Sequence, residues 1–115
     1  MAIKTAAGRN AASVAYGNLA THGAIYTTAP SGTAGTEPTG VYARKPLTWS
    51  APNDNGTVST ITATATFDVP SGATIAGVGL HTALTAGSYV DGGTVTSQNF
   101  ASQGTLTVTY TYQQS

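Results

Sequence analysis

The side chains able to do acid–base or metal chemistry are few: His22 and His81, with Glu37, Asp54, Asp68 and Asp91 as the only side-chain carboxylates. A metal centre or a general acid–base pair needs several such groups to converge on one point. Here they are scattered singly, and nothing in their spacing brings the two histidines together. The stretch Asn53-Asp54-Asn55-Gly56 starts like a calcium loop, but no carboxylate follows where a bidentate ligand is required, so it is expected to be a hairpin turn. Gly77-Val78-Gly79 and Asp91-Gly92-Gly93 lack the lysine and the strand-to-helix setting of a phosphate loop. Nine serines occur without a G-x-S-x-G elbow, and cysteine is absent, which removes disulfides, thiolate metal sites and a thiol nucleophile. The expectation is a protein that is not an enzyme and takes no cofactor or metal.

What remains is recognition. Trp49, Tyr26, Tyr42, Tyr89, Tyr110 and Tyr112 could form a platform for a sugar, or fill a core or a protein interface. Trp49 and Tyr110 lie on inward-facing strand positions and are expected to pack inside. Tyr42, beside a glycine-rich segment, is the better candidate for surface contact. Glu37, Arg44 and Lys45 are the few charges near that segment, so with Tyr42 they are the candidate interface residues; the competing reading of the charges is as solvated loop groups.

These residues must be positioned by the elements around them. Thr5 can cap a short helix whose apolar face would be Ala7, Ala11, Val14 or Ala15, and Leu19. Gly8 and Gly17 each weaken it by roughly 1 kcal/mol relative to Ala, so it is expected to depend on packing. From residue 24 the pattern turns to strands. AIYTT (24–28) opens it, and APSGTAGTEPTG (29–40), with two prolines and three glycines, is expected to be a long surface loop and a possible exposed arm. Residues 44–51 carry Leu47 and Trp49 on one face, with Pro46 pointing to an edge strand or a strand start. Ile61, Ala63, Ala65, Phe67 and Val69 alternate with Thr62, Thr64, Thr66 and Asp68, the period of a half-buried strand.

In residues 75–82, Ala76, Val78, Leu80 and Thr82 share one face and Gly77, Gly79 and His81 the other; two glycines on one face permit close approach of another backbone. Tyr89 and Val90 lead into Asp91-Gly92-Gly93, expected as a turn. The last strand alternates Leu106, Val108, Tyr110 and Tyr112 with Thr105, Thr107, Thr109 and Thr111. Short strands separated by Gly, Pro, Asn and Asp turns argue for a mainly β chain, an antiparallel sandwich or partly closed barrel; the expectation is a β-sandwich of jelly-roll or immunoglobulin-like type with a short N-terminal helix. The expected layout is an arm or helix over 1–22 and one sandwich domain over 23–115.

At 115 residues the chain can bury only a modest core, and nineteen alanines inflate its apolar fraction of 40%. Charged residues make up 7%, with four cations offset by four anions. Such a surface has no electrostatic footprint for nucleic acid or an anionic membrane. It also lacks the self-repulsion that keeps free proteins apart, so association into a homo-oligomer is expected. Twenty-two threonines leave the second faces of the strands β-prone and uncharged, poor protection against edge pairing unless neighbours cover them. The N-terminal stretch lacks a continuous apolar segment, and no apolar run approaches the roughly 18 residues of a membrane span. The chain is therefore expected to be soluble and made in the cytoplasm.

The succession of an alanine-rich helix, THGAIYTTAPSGTAGTEPTGVYARKPLTW, FDVPSGATIAGVGLHTALTAG and TLTVTYTY resembles a group of small virion proteins of tailed phages, especially of actinobacteria, variously described as tail-fibre-like, minor tail or capsid-associated. Its most specific parts are Thr21-His22, Thr36-Glu37-Pro38-Thr39-Gly40 with Tyr42-Ala43-Arg44, and Val69-Pro70-Ser71-Gly72 leading to Gly79-Leu80. The resemblance implies a β-sandwich on the head or tail of the particle, with itself and other virion proteins, a major capsid or tail protein, as partners. A capsid decoration or minor capsid protein is the leading expectation. A minor tail or tail-fibre-like protein and a host-surface glycan-binding module are the alternatives.

Overall fold

The structure, a computed structural model, describes residues 2–115. Along the chain run α1 (Ala6–Leu19), β1 (His22–Tyr26), β2 (Lys45–Pro46), β3 (Asn53–Asp54), β4 (Ser59–Val69), β5 (Thr74–His81), β6 (Tyr89–Asn99) and β7 (Gly104–Gln114). They form two antiparallel sheets packed as a sandwich, of four strands in the order β2-β1-β5-β6 and three in the order β3-β4-β7.

β4 and β7 pair without interruption from Ser59 opposite Gln114 to Val69 opposite Gly104. The alternation read in the sequence decides which side is inside: Ile61, Ala63, Ala65, Phe67 and Val69 are buried while Thr62, Thr64 and Thr66 are exposed. Phe67 and Val69 meet Ile25, Ile75 and Leu80 of the facing sheet. Burying a side chain such as Phe67 contributes roughly 1.5–3 kcal/mol. At the other end of the same inner face Ser59 and Ile61 meet α1, so the four-stranded sheet and the helix lie side by side on one platform. The result is elongated, 48 × 25 × 23 Å.

Thr5 caps α1 as expected, its hydroxyl accepting from the Gly8 amide at 3.1 Å. The helix is turned the other way, however, from the one its apolar stripe predicts. Val14 and Leu19 are 45% and 53% exposed, and Ala7, Ala11 and Ala15 are exposed with them, whereas Arg9 and Ser13 are buried. Polar pairing wins over a stripe made mostly of alanine. Arg9 makes a two-pronged bond to Asp54 on β3, Nε to Oδ1 at 2.6 Å and Nη2 to Oδ2 at 2.7 Å, and the Ser13 hydroxyl meets that of Ser59 at 3.0 Å. Gly17 then lets Trp49 lie against the helix.

Two further expectations change. Asp91-Gly92-Gly93 is not a turn but part of β6, an eleven-residue strand, and the reversal before it lies at 82–88, where Ala86 and Gly87 take positive φ. The composition of β6, short of bulky β-formers, hides it. Asn53 and Asp54 likewise belong to a short strand paired with Thr60 and Ser59, and the tight turn follows at Asn55 and Gly56, where the Asn55 side chain accepts from the Thr57 and Val58 amides.

Candidate functional site

β1 and β5 place His22, Ala24 and Tyr26 on one face with Gly77, Gly79 and His81, the face turned away from the three-stranded sheet. The sequence assigned the two glycines to close approach, and the approaching group is a side chain of the neighbouring strand. The Tyr26 ring crosses Gly79 so closely that any Cβ there would collide with it, and its hydroxyl reaches His81 Nε2 at 2.6 Å. Pro30 lies over Gly77 and Gly92 in the same way.

The segment between β1 and β2 is the roof over this face. It has no regular element, as expected of 29–40, but it is not a free arm. The Thr27 amide donates to Thr36 O at 2.7 Å, the Thr36 amide donates to the Thr28 hydroxyl at 2.8 Å, and Tyr89 Oη donates to Ser31 O at 2.9 Å. Pro38 is buried, and Gly35 sits against the Tyr26 ring and Thr28 O, where a Cβ would not fit. Tyr26 and Ala24 are fully buried as a result.

Three of the four candidate interface residues meet at the end of this roof. Arg44 grips Glu37 with Nε on Oε1 and Nη2 on Oε2, both at 2.9 Å, and Tyr42 Oη donates to the same Oε1 at 2.6 Å. Arg44 Nη1 donates to Ala83 O at 3.0 Å and Ala86 O at 2.8 Å, so it ties the 82–88 turn to the roof. Four of its five N–H groups are thereby used within the chain. Tyr42 stacks over Phe67 with ring centroids 6.2 Å apart, which makes it a half-buried strut instead of the surface aromatic expected. Lys45 lies on β2 opposite Gly23 and, among the described residues, takes part in no ion pair.

Electrostatics follow from this closure. Burial would raise the Glu37 carboxyl, but the hydrogen bonds from Arg44 and Tyr42, with the Arg44 charge, outweigh it and hold the group below the ordinary carboxylate value. Tyr42 is pushed up by burial and then by its bond to Glu37. His81 is pushed down, by burial first and by the Arg44 charge second, with Glu37 acting against both. The hydrogen bond between Tyr26 Oη and His81 Nε2 lies inside this closed space. It fixes the two rings and offers no exposed nucleophile or base.

His22 and His81 stand directly opposite each other in register, a pairing the sequence spacing did not reveal, because thirty-odd residues of loop and a whole sheet crossing separate them in the chain. Each ring nevertheless has its own partner: His22 Nδ1 lies 2.9 Å from the Thr21 hydroxyl, and His81 has Tyr26. Among the described residues no three His, Asp or Glu gather as a metal site would require, and no helix is long and apolar enough to cross a membrane.

Sequence reasoning passed over Arg9, read Asp54 only as part of a turn, and passed over Tyr16. The ring of Tyr16 stacks on Tyr112 at 3.7 Å, stands edge-on to Trp49 at 6.3 Å, and its hydroxyl donates to Asp91 at 3.2 Å. The signal was there for the first two. Charges are so scarce that each buried one needs an opposite partner, and Arg9 with Asp54 and Arg44 with Glu37 are the pairs that result.

Two open regions contrast with the roof. Outside the roof's end lies a shallow recess of ≈ 460 Å³ lined by Glu37, Tyr42, Arg44 and Leu84 among others, with Leu84 52% exposed. Across the molecule, the outer face of β4 and β7 is a charge-poor ladder in which Thr64 bonds Thr109 at 3.2 Å and Thr66 bonds Thr107 at 2.9 Å. No protein-family model, curated protein or solved structure matches the chain.

Proposed function

We propose that the chain is a non-enzymatic virion structural protein of a tailed bacteriophage, a capsid decoration or minor capsid protein that works through contacts with its own copies and with other virion proteins. The observation that carries the structural half of this reading is how the polar groups are spent. Glu37, Arg44, Tyr42, Tyr26, His81, Arg9 and Asp54 are all engaged within the chain. What faces outward is a threonine ladder and two long strand edges nearly free of charge. Such surfaces suit burial against neighbours better than they suit catalysis. The virion half rests on the resemblance of the THGAIYTTAPSGTAGTEPTGVYAR and FDVPSGATIAGVGL segments to phage virion proteins.

Locating and counting the protein in intact particles tests this. Hundreds of copies on the head are expected; a few copies at the tail would replace decoration by a minor tail or tail-fibre-like role, and absence from the particle would overturn the reading. The recess beside Leu84 favours one second reading, a host-surface glycan module, because it joins an exposed apolar side chain to a carboxylate and a guanidinium. Saturable binding on a glycan array, lost on filling the recess with Ala86→Trp, would support that reading against a purely structural one.

A further inference from the structure

The sandwich is closed on one long side and open on the other. β6 ends the four-stranded sheet and β7 ends the three-stranded one, and each is eleven residues long. Between them runs a seam of two recesses. One, of ≈ 290 Å³, is lined by Ile75, Val78, Val95, Leu106 and Val108; the other, of ≈ 230 Å³, reaches Gly79, Tyr110 and Tyr112. Leu106, Val108 and Val95 belong to the apolar packing yet stay only half-buried. The sole charge on the seam is Asp91, already taken by Tyr16.

The two edges are not equivalent. β6 shifts register twice against β5 and carries Asp91 and two glycines, features that blunt an edge. β7 has none of these protections: its eleven residues GTLTVTYTYQQ hold no charge, no proline and no bulge against β4. It is also self-complementary. Paired antiparallel with a copy of itself about Thr109, it sets Thr107 against Thr111, Val108 against Tyr110 and Leu106 against Tyr112, so threonine meets threonine outside and apolar meets apolar inside.

We infer that β7 is the pairing edge of a two-fold dimer of this chain, forming a continuous six-stranded sheet β3-β4-β7-β7-β4-β3 across the two copies. The inward side chains of the added strand lie alongside Leu106 and Val108 and cover the mouth of the seam. An eleven-residue strand is about 37 Å long. With two layers about 10 Å apart and their side chains, the footprint is roughly 700 Å², close to the roughly 800 Å² per partner of a stable interface. The zero net charge of the chain opposes this contact with no self-repulsion. The inference rests on the reading of the chain as an assembly component and names one of its interfaces.

Because the protein has no cysteine, an introduced one reports only on its own position. Purified Thr109→Cys is expected to form a disulfide-linked dimer on mild oxidation. Thr64→Cys, on the same outer face but one strand in from the edge, is expected to stay monomeric on a denaturing gel. Thr109 is exposed, so Thr109→Lys leaves the fold intact while setting two cations face to face. By sedimentation equilibrium its self-association should weaken about tenfold or more, and mixing it with Thr109→Asp should restore a mixed dimer. A wild-type protein that stays monomeric at its solubility limit overturns the inference. So does a dimer that neither cross-links at Thr109→Cys nor responds to Thr109→Lys, since it forms through another face. Absence of the protein from particles would sink the virion reading while leaving a Thr109-dependent dimer standing, so the two failures are distinct.

Discussion

Over β1 and β5 the outer face holds Tyr26, His81, Gly77 and Gly79 under a tied-down loop, and nearly every polar atom has a partner in the same chain. Along β6 and β7, strands twice as long as β1 flank a half-filled apolar seam, and the edge of β7 has no charge, proline or bulge. With only eight charged side chains to distribute, the two ion pairs among the described residues tie down the helix and the roof, and β7 alone of the four edge strands carries no charge. Edge strands are commonly guarded by charge, proline or a bulge, and β7 has none of these. The difference teaches that this sandwich is finished on one side by its own loop, while the edge of β7 is left uncovered, as the dimer proposed above requires.

The sharpest break of that comparison uses one substitution in two places. Gly79→Ala drives a methyl into the Tyr26 ring, which must leave its site and its bond to His81; we expect a loss of about 3 kcal/mol, the upper end of overpacking costs. Gly93→Ala, on β6, meets nothing within 4 Å, and there we expect no loss or a gain of about 0.5 kcal/mol from reduced freedom of the unfolded chain. Denaturant unfolding of the two variants measures both. Equal losses would mean that β6 is already as enclosed as the roofed face.

Next in size is the clasp. Arg44→Ala leaves the Glu37 carboxylate enclosed without its partner and unties Ala83 and Ala86 from the roof. Glu37 keeps 27% of its side-chain exposure, so water offsets part of the loss, and we expect about 2 kcal/mol instead of the larger cost of a fully buried pair. Faster proteolysis within 82–88 should accompany it. Lys45→Ala, one residue on, should stay within about 0.5 kcal/mol. This separates the internal charges from the free one that the sequence had grouped with them.

A smaller effect comes from pH. His81 is held below its ordinary value by burial and the Arg44 charge, with Glu37 partly opposing and the Tyr26 and Tyr89 rings packed around it. The unfolded chain therefore takes up this proton at a higher pH than the folded one. Stability from neutral His81 is complete above the unfolded value of about 6.5, declines as the pH falls through it, and levels off once the folded group protonates as well. Thermal melts between neutrality and mild acidity should show that decline, and His81→Gln should flatten it.

The strands were legible where side chains alternate by type. Ile61 to Val69 and Leu106 to Tyr112 could be placed on their faces from period two alone, and the Gly77/Gly79 face was recognised as a place of close approach. The sequence is silent where small residues leave the choice to partners far along the chain. The helix stripe of Ala7, Ala11 and Leu19 pointed outward because Arg9 and Ser13 found Asp54 and Ser59 across about forty-five residues. Of the site, the sequence grouped Glu37, Tyr42 and Arg44 as candidates for outward contacts, but that they close on one another depends on Ala83, Ala86 and Phe67, which no local pattern names. The opposition of His22 and His81 depends likewise on the pairing of β1 with β5.

The smallest expected effect belongs to the open threonine face. Thr66 and Thr107 share a hydroxyl contact at 2.9 Å on an exposed, untwinned surface, so water can replace either partner. Val keeps the β-branched shape and gives up only the hydroxyl. The double change Thr66→Val with Thr107→Val should therefore alter unfolding free energy by no more than about 0.5 kcal/mol. Thr82 offers the same residue at the half-buried start of the 82–88 turn: its hydroxyl accepts from the Ser88 backbone amide at 2.8 Å and holds the turn that Arg44 grips. Thr82→Val should cost about 1 kcal/mol by leaving that amide without its acceptor. If the outer ladder proved as costly as Thr82 in the isolated chain, threonine there would be serving the monomer's own stability. If it costs nothing alone but weakens self-association, the hydroxyls are kept for a surface that only a neighbour completes.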